Sequence, residues 1–395
     1  MVDKQIIHAV DQLLSDQGVY IPLELLLAEG RLLYADYESW RSGGFGYLEE
    51  LLFGDPQEIG RMLEEAARYA EAQGLEVEPH QYHPWSGEVR PLKYSSSSTR
   101  DSLFQMRYVK AEERHQLDLF LDNDGNTQLN EVIGALCDRD SKRARVALER
   151  LYDADPGNAR LGMLERLVTG LEQILGVPEY ADDQLEGVLD TLENEILPMA
   201  TELLGGAGRD YLVLFWQRLL DSLEGRDFDP ENARLHASYC AMRMEDWRQA
   251  CESIECQTDW SGQPELLYRH ALVSHRLREE PVFLKDWFNL CAISPELAEH
   301  LVKQLSVEWQ ALWNDFLDAE PELEVADFPA WLLIQRPLLA DRISYDREEE
   351  SGLSQAMHVI LLLGRQGTGL GEEAIALRKR LQQASPSLFE HLLAS

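Results

Sequence analysis

Apolar residues recur at helical spacing near the start of the chain, at Ile6, Val10, Leu13 and Leu14, and this pattern predicts a helix with one inward face. Pro22 can open a second helix, because its fixed φ suits a first helical position and no N–H is needed there. A third helix is predicted from Pro56 to Gly74, with Ile59, Leu63, Ala66, Ala67 and Ala70 on one side and Asp55 as its N-cap. Residues 1–76 therefore read as a small N-terminal helical domain. Between 77 and 126 the periodicity is lost. Pro79, Pro84 and Pro91 interrupt any helix, serines fill positions 95–98, and the stretch from Leu103 to Val109 has no helical face. This segment reads as extended, irregular or partly β, with a small hairpin turn at Asp124 and Gly125. From Thr127 onward helical periodicity returns in segments separated by Gly, Pro or Asp, and no strand–helix alternation supports a doubly wound sheet. The expected fold class is mainly α, with residues 127–395 as an array of helices.

One heptapeptide recurs within that array. Asp155, Pro156, Gly157, Asn158, Ala159, Arg160 and Leu161 return as Asp229, Pro230, Glu231, Asn232, Ala233, Arg234 and Leu235, identical at six of seven places and 74 residues on. The offset is close to twice the roughly 34-residue period of tetratricopeptide repeats. Asp140, Ala144, Leu148 and Leu151 before the first copy fall at second-helix spacing, as do Ala237, Ala241, Asp246, Trp247, Ala250 and Ile254 after the second. Over residues 130–290 the chain thus resembles a degenerate tetratricopeptide array, with Glu245 where a glycine usually joins paired helices. The resemblance implies antiparallel helix pairs stacked as a solenoid that presents a concave face to a partner. An ordinary helical bundle with a coincidental heptapeptide is the plainer alternative.

Charge narrows the partners. The 395 residues carry 36 basic and 71 acidic side chains, a formal charge of −35. Such a chain repels polyphosphate and anionic lipid, so direct nucleic-acid binding and membrane docking are both disfavoured. The 45% apolar and 9% aromatic content is that of a folded chain and not of a disordered acidic tail. The first ten residues are too polar for a signal-peptide core, and no apolar run approaches a membrane span. Five cysteines (Cys137, Cys240, Cys251, Cys256, Cys291), an odd number with no C-x-x-C pair, read as free thiols in a reducing bacterial cytoplasm.

Chemistry-bearing motifs are few. Gln116, Leu117, Asp118, Leu119 and Phe120 spell Q-L-D-L-F. This resembles the pentapeptide with which bacterial polymerases, mismatch-repair proteins and initiation regulators dock on the replicative sliding clamp, and all five positions match. The resemblance implies an extended peptide that lays Leu119 and Phe120 in an apolar pocket while the Gln116 amide meets polar groups beside it. The alternation Leu117, Leu119, Leu121 also fits a half-buried strand, which would hide the motif. Asp122 to Asn126 resembles the opening of an EF-hand loop, but Thr127 and Ile133 stand where the turn glycine and the bidentate glutamate belong, so a polar turn is expected. His80 and His83 are bracketed by Pro79 and Pro84 and read as a surface turn. Gly43, Gly44 and Gly46, and Gly364, Gly367, Gly369 and Gly371, lack the Lys-Ser/Thr of a phosphate loop and read as connections between helices. Trp287, Phe288, Trp309, Trp313, Phe316 and Trp331 read as core.

These observations lead to a non-catalytic protein–protein interaction adaptor that docks on the sliding clamp through residues 116–120, with no catalytic residue, cofactor or metal expected. Two other readings stand beside it: a helical-repeat scaffold or chaperone unrelated to replication, and an acidic DNA mimic.

Overall fold

A computed structural model of the chain describes residues 4–85, 90–110, 124–176, 179–343, 345, 354–366 and 372–394. It is mainly helical, with one small antiparallel sheet. Two compact units emerge, one of residues 1–226 with 235–246 and the other of residues 227–234 with 247–395.

The first unit opens with α1 (Lys4–Gln17), β1 (Val19–Tyr20), α2 (Pro22–Ala28), α3 (Tyr34–Arg41), α4 (Pro56–Ala72), β2 (Leu75–Pro79), α5 (Ser98–Phe104) and β3 (Met106–Lys110). Ile6, Val10, Leu13 and Leu14 are buried, as the spacing in α1 predicts. Asp55 caps α4 by accepting from the Gln57 N–H, and Pro22 opens α2. β3 lies in the middle of the sheet, antiparallel to both neighbours, so Tyr108 stands between Tyr20 and Val77. The Tyr20 and Tyr108 rings are 5.2 Å apart and face the core. A second aromatic cluster is buried in this unit: Phe104 stacks on Tyr94 at 4.4 Å and meets Tyr82 at 5.5 Å, with Trp40 beside Tyr82 at 5.6 Å.

Helices complete this unit: α6 (Asp124–Cys137), α7 (Ser141–Ala154), α8 (Leu161–Gly176), α9 (Leu185–Thr191), α10 (Leu197–Leu204), α11 (Gly208–Leu223) and α12 (Ala237–Arg243). A π-helical turn, Leu192–Ile196, joins α9 to α10 just before Pro198, which has no N–H for the ordinary helical bond. Asp124 and Gly125, expected to form a hairpin turn, instead begin α6. The apolar face of that helix, with Leu129, Val132, Ala135 and Leu136 buried, outweighs the local turn preference of an Asp-Gly pair. The four serines expected in an irregular stretch lead into α5; of the prolines before them, Pro79 ends β2, while Pro84 and Pro91 fall outside regular elements.

A network of charged and phenolic groups ties α3 to the helices within this unit. Both carboxylate oxygens of Asp210 on α11 accept from phenols of α3, Tyr34 at 2.5 Å and Tyr37 at 3.0 Å. The Arg139 guanidinium grips both oxygens of Glu38 at 2.6 and 3.0 Å and donates to the Asp210 carbonyl at 2.7 Å. Trp85 is held between two guanidiniums, Arg41 at 3.5 Å and Arg139 at 4.0 Å from its ring, and donates to Glu38 at 3.0 Å.

The second unit contains α13 (Trp247–Glu255), α14 (Pro264–Arg276), α15 (Glu280–Ile293), α16 (Pro295–Val302), α17 (Val307–Leu317), α18 (Phe328–Gln335), α19 (Gln355–Gln366), α20 (Glu372–Ala384) and α21 (Pro386–Ala394). Its core is aromatic. Trp287 is fully buried among the rings of Phe283, Trp309, Trp313 and Phe328, 4.7 to 5.9 Å away. Phe288, Trp313, Phe316 and Trp331 are buried as well, while Trp309, also read as core from its spacing, is half-buried against Trp287.

Two local geometries repeat along the chain. In both copies of the heptapeptide the asparagine N–H donates to the aspartate carbonyl at 3.1 Å, Asn158 to Asp155 and Asn232 to Asp229. The helices that follow differ in length, sixteen residues in α8 against seven in α12. The second geometry joins helices. Arg139, Glu245 and Arg278 all adopt left-handed φ, at 57°, 57° and 62°. In each case the next residue donates back across the turn at 2.9 Å, Asp140 to Ala135, Asp246 to Ala241 and Glu279 to Ser274. These bonds satisfy carbonyls left open at a helix end. Glu245, standing where a glycine was expected, takes the conformation that glycine would take.

Candidate functional site

The pentapeptide Gln116, Leu117, Asp118, Leu119 and Phe120 lies outside the described residues, in the stretch between the end of β3 at Lys110 and the start of α6 at Asp124. Asp122 and Asn123 of the EF-hand-like run lie there too. His80 is half-buried with its ring 4.8 Å from Tyr82, so only His83, which is exposed, has the surface position expected for both. Burial, with the Arg107 and Arg41 charges adding to it, pushes the His80 pKa down to about 4. Gly43, Gly44 and Gly46 fall in the connection after α3, as expected. Gly364 is inside α19 and not in a loop; an added Cβ there would lie 2.6 Å from the Ala340 methyl, so the close packing requires glycine at that point of the helix. Gly367, Gly369 and Gly371 lie outside the described residues.

The chemistry that the structure does assemble lies in the second unit, on three successive helices. Cys251 and Glu255 occupy one face of α13, a helical turn apart. His270 comes from α14 and Asp286 from α15, both almost fully buried. His270 Nδ1 is 2.6 Å from Asp286 Oδ2. On the other side of the ring, Nε2 lies 3.5 Å from Cys251 Sγ and 3.5 Å from a Glu255 carboxylate oxygen. The Trp260 ring covers the imidazole at 4.2 Å. Cys251 is half-buried and Glu255 exposed, so the Nε2 side faces outward while the Nδ1 side is sealed.

Burial alone would lower the His270 pKa, but hydrogen bonds to Asp286 and then to Cys251 outweigh it and hold the value up at about 10. Burial pulls the Asp286 pKa upward against the stabilising imidazolium. A buried pair of this kind persists because each member satisfies the other. The carboxylate also fixes the ring orientation, so Nε2 is the nitrogen left to act on anything that approaches.

Sequence reading missed this centre for a physical reason. Its members are separated by 19 and 16 residues and belong to different helices, so their meeting depends on how the helices pack. The one local signal is the Cys-x-x-x-Glu spacing of α13, with Ala250 and Ile254 marking the neighbouring inward face. Comparisons with models of protein families, with curated proteins and with solved structures find no match to the chain. Among the described residues no helix is long and apolar enough to cross a membrane.

Proposed function

We propose that this chain is a non-catalytic adaptor of the bacterial cytoplasm that docks on the DNA sliding clamp through Gln116, Leu117, Asp118, Leu119 and Phe120 and holds a second protein on a tetratricopeptide-like array of helix pairs. The observation that carries the reading is the five-for-five match of Q-L-D-L-F to the clamp-docking pentapeptide, placed between a strand and a helix and not within the periodic helical sequence. Support for the array comes from the recurring heptapeptide turn and the shared left-handed turn at Arg139, Glu245 and Arg278. The last two stand 33 residues apart, close to one period of the repeat. The charge of −35 favours contact with DNA through a protein intermediary over direct contact.

The test is binding of the full chain to immobilised clamp. Two apolar anchors and one amide are expected to give micromolar affinity, about 8 kcal/mol. The double variant Leu119→Ala/Phe120→Ala empties both pockets, at about 1.5–3 kcal/mol each, and abolishes binding while the circular dichroism spectrum and melting temperature stay those of the parent. A parent that does not bind the clamp overturns the proposal. So does a double variant that loses several kcal/mol of stability, because these side chains then belong to the protein's own core.

A further inference from the structure

We infer that Cys251, Glu255 and His270 form a binding site for a divalent metal ion of the zinc class, with Asp286 as the outer carboxylate that orients the histidine. The donor atoms of the three residues, Sγ, a carboxylate oxygen and a ring nitrogen, all lie within 4.8 Å of one another. Their spacing suits one ion. Zinc bonds of about 2.0–2.1 Å to nitrogen or oxygen and about 2.3 Å to sulfur, at tetrahedral angles, place nitrogen and sulfur about 3.6 Å apart and nitrogen and oxygen about 3.3 Å apart. The structure has both Nε2 distances at 3.5 Å. Both distances from Nε2 are thus near the spacing that coordination requires, and the third, from Sγ to the carboxylate oxygen, is within 4.8 Å.

The surroundings match such a site. Metal-bound histidines donate their other N–H to a carboxylate, which fixes the tautomer and strengthens the ligand. Asp286 does this at 2.6 Å from inside the core. On binding, the thiol and Nε2 release their protons to solvent, and the ion bonds to the thiolate, the neutral imidazole and the Glu255 carboxylate. One thiolate, one imidazole and one carboxylate form a borderline-soft set that prefers zinc to magnesium or calcium. Three protein ligands leave the fourth position to water on the outward side, where Glu255 is exposed. Glu255 is also what separates this reading from a thiol nucleophile. A carboxylate sharing Nε2 with the sulfur opposes formation of a free thiolate, whereas an ion between them uses all three groups.

The site is independent of clamp docking and is tested on the full chain. After treatment with a chelator, Co2+ serves as the probe, because a thiolate ligand gives an intense near-ultraviolet charge-transfer band and tetrahedral geometry gives strong visible bands. Binding of one Co2+ per chain with both features, and their loss on adding Zn2+, is expected. Cys251→Ser removes the charge-transfer band, and Cys256→Ser, which changes the exposed neighbouring thiol, leaves it. Glu255→Gln, at an exposed position and keeping the side-chain size, weakens Co2+ binding by about tenfold or more while the circular dichroism spectrum stays that of the parent. The proposal is overturned by a parent that shows no charge-transfer band, by a band that survives Cys251→Ser, or by a Glu255→Gln variant that binds Co2+ as the parent does.

Discussion

Replacing Asp210 by alanine removes the acceptor on which two buried phenols converge. Tyr34 and Tyr37 are each 1% exposed, and their hydroxyls lie 2.5 and 3.0 Å from the two Asp210 oxygens. The two are not equally vulnerable. Tyr34 is also 2.8 Å from Glu38 and can turn its proton there, so it keeps a partner. Tyr37 already receives an N–H from Arg41 at 2.6 Å, so its one proton is committed to Asp210 and is orphaned by the substitution. A lost charge-assisted hydrogen bond with a buried hydroxyl left unpaired costs about 1.5–3 kcal/mol, and the lost Asp210 contacts of Tyr34 and of the Arg209 guanidinium, 3.9 Å from the carboxylate, bring the expected loss to about 2–4 kcal/mol. Asp210→Asn behaves differently. Its carbonyl can accept from Tyr37 while its amide donates to Tyr34, which passes its proton to Glu38, so the expected loss is about 1 kcal/mol. Adding Tyr37→Phe to Asp210→Ala brings no rescue, because the phenyl ring takes away the acceptor of the buried Arg41 N–H along with the orphaned hydroxyl. Urea denaturation followed by circular dichroism gives the magnitudes. Hydrogen exchange in peptides covering 34–41 and 208–223 assigns them to the first unit. An Asp210→Ala variant as stable as Asp210→Asn would refute the reasoning.

Three shorter predictions follow from other parts of the molecule. Trp287 is fully buried, and its indole N–H has no partner among the described residues, so Trp287→Ala is expected to cost about 3–5 kcal/mol and Trp287→Phe less than half of that. Equal losses in thermal unfolding would contradict this. The folded-state pKa of His80 is about 4, below the usual 6.5, so the unfolded chain binds the extra proton between those values. The contribution of His80 is therefore complete above pH 6.5 and lost as pH falls toward 4; His80→Phe, which keeps the ring against Tyr82, should flatten the stability profile in that window, and an unchanged profile would show that His80 titrates normally. Duplex DNA of random sequence should give no mobility shift at physiological salt, since −35 charges oppose it; a tight complex would point to a basic groove hidden by the overall charge.

What the sequence made legible was local. The face of α1, the Asp55 cap of α4 and Pro22 at the start of α2 depend on residues a few positions apart, and each is found as expected. The buried aromatics of the second unit were legible for the same reason. The sheet was less so, because β1 is two residues long and β2 begins where α4 has just ended, so neither offers a run of alternation to read. Asp124 and Gly125 carry a turn signature that the apolar face of the following helix overrides. The centre around His270 was not legible, since its partners come from α13 and α15 and only packing joins them. The turn at Glu245 lies between these cases. Its departure from glycine weakened the repeat pattern in the sequence, yet the backbone keeps the left-handed geometry.

The proposed docking on the clamp is tested most directly by hydrogen exchange of the full chain over residues 112–124, measured with and without purified sliding clamp. Rapid exchange in the free protein is expected, with protection appearing at 116–120 on addition of clamp and absent in Leu119→Ala/Phe120→Ala. Strong protection before clamp is added, or no change after it, would contradict the adaptor reading.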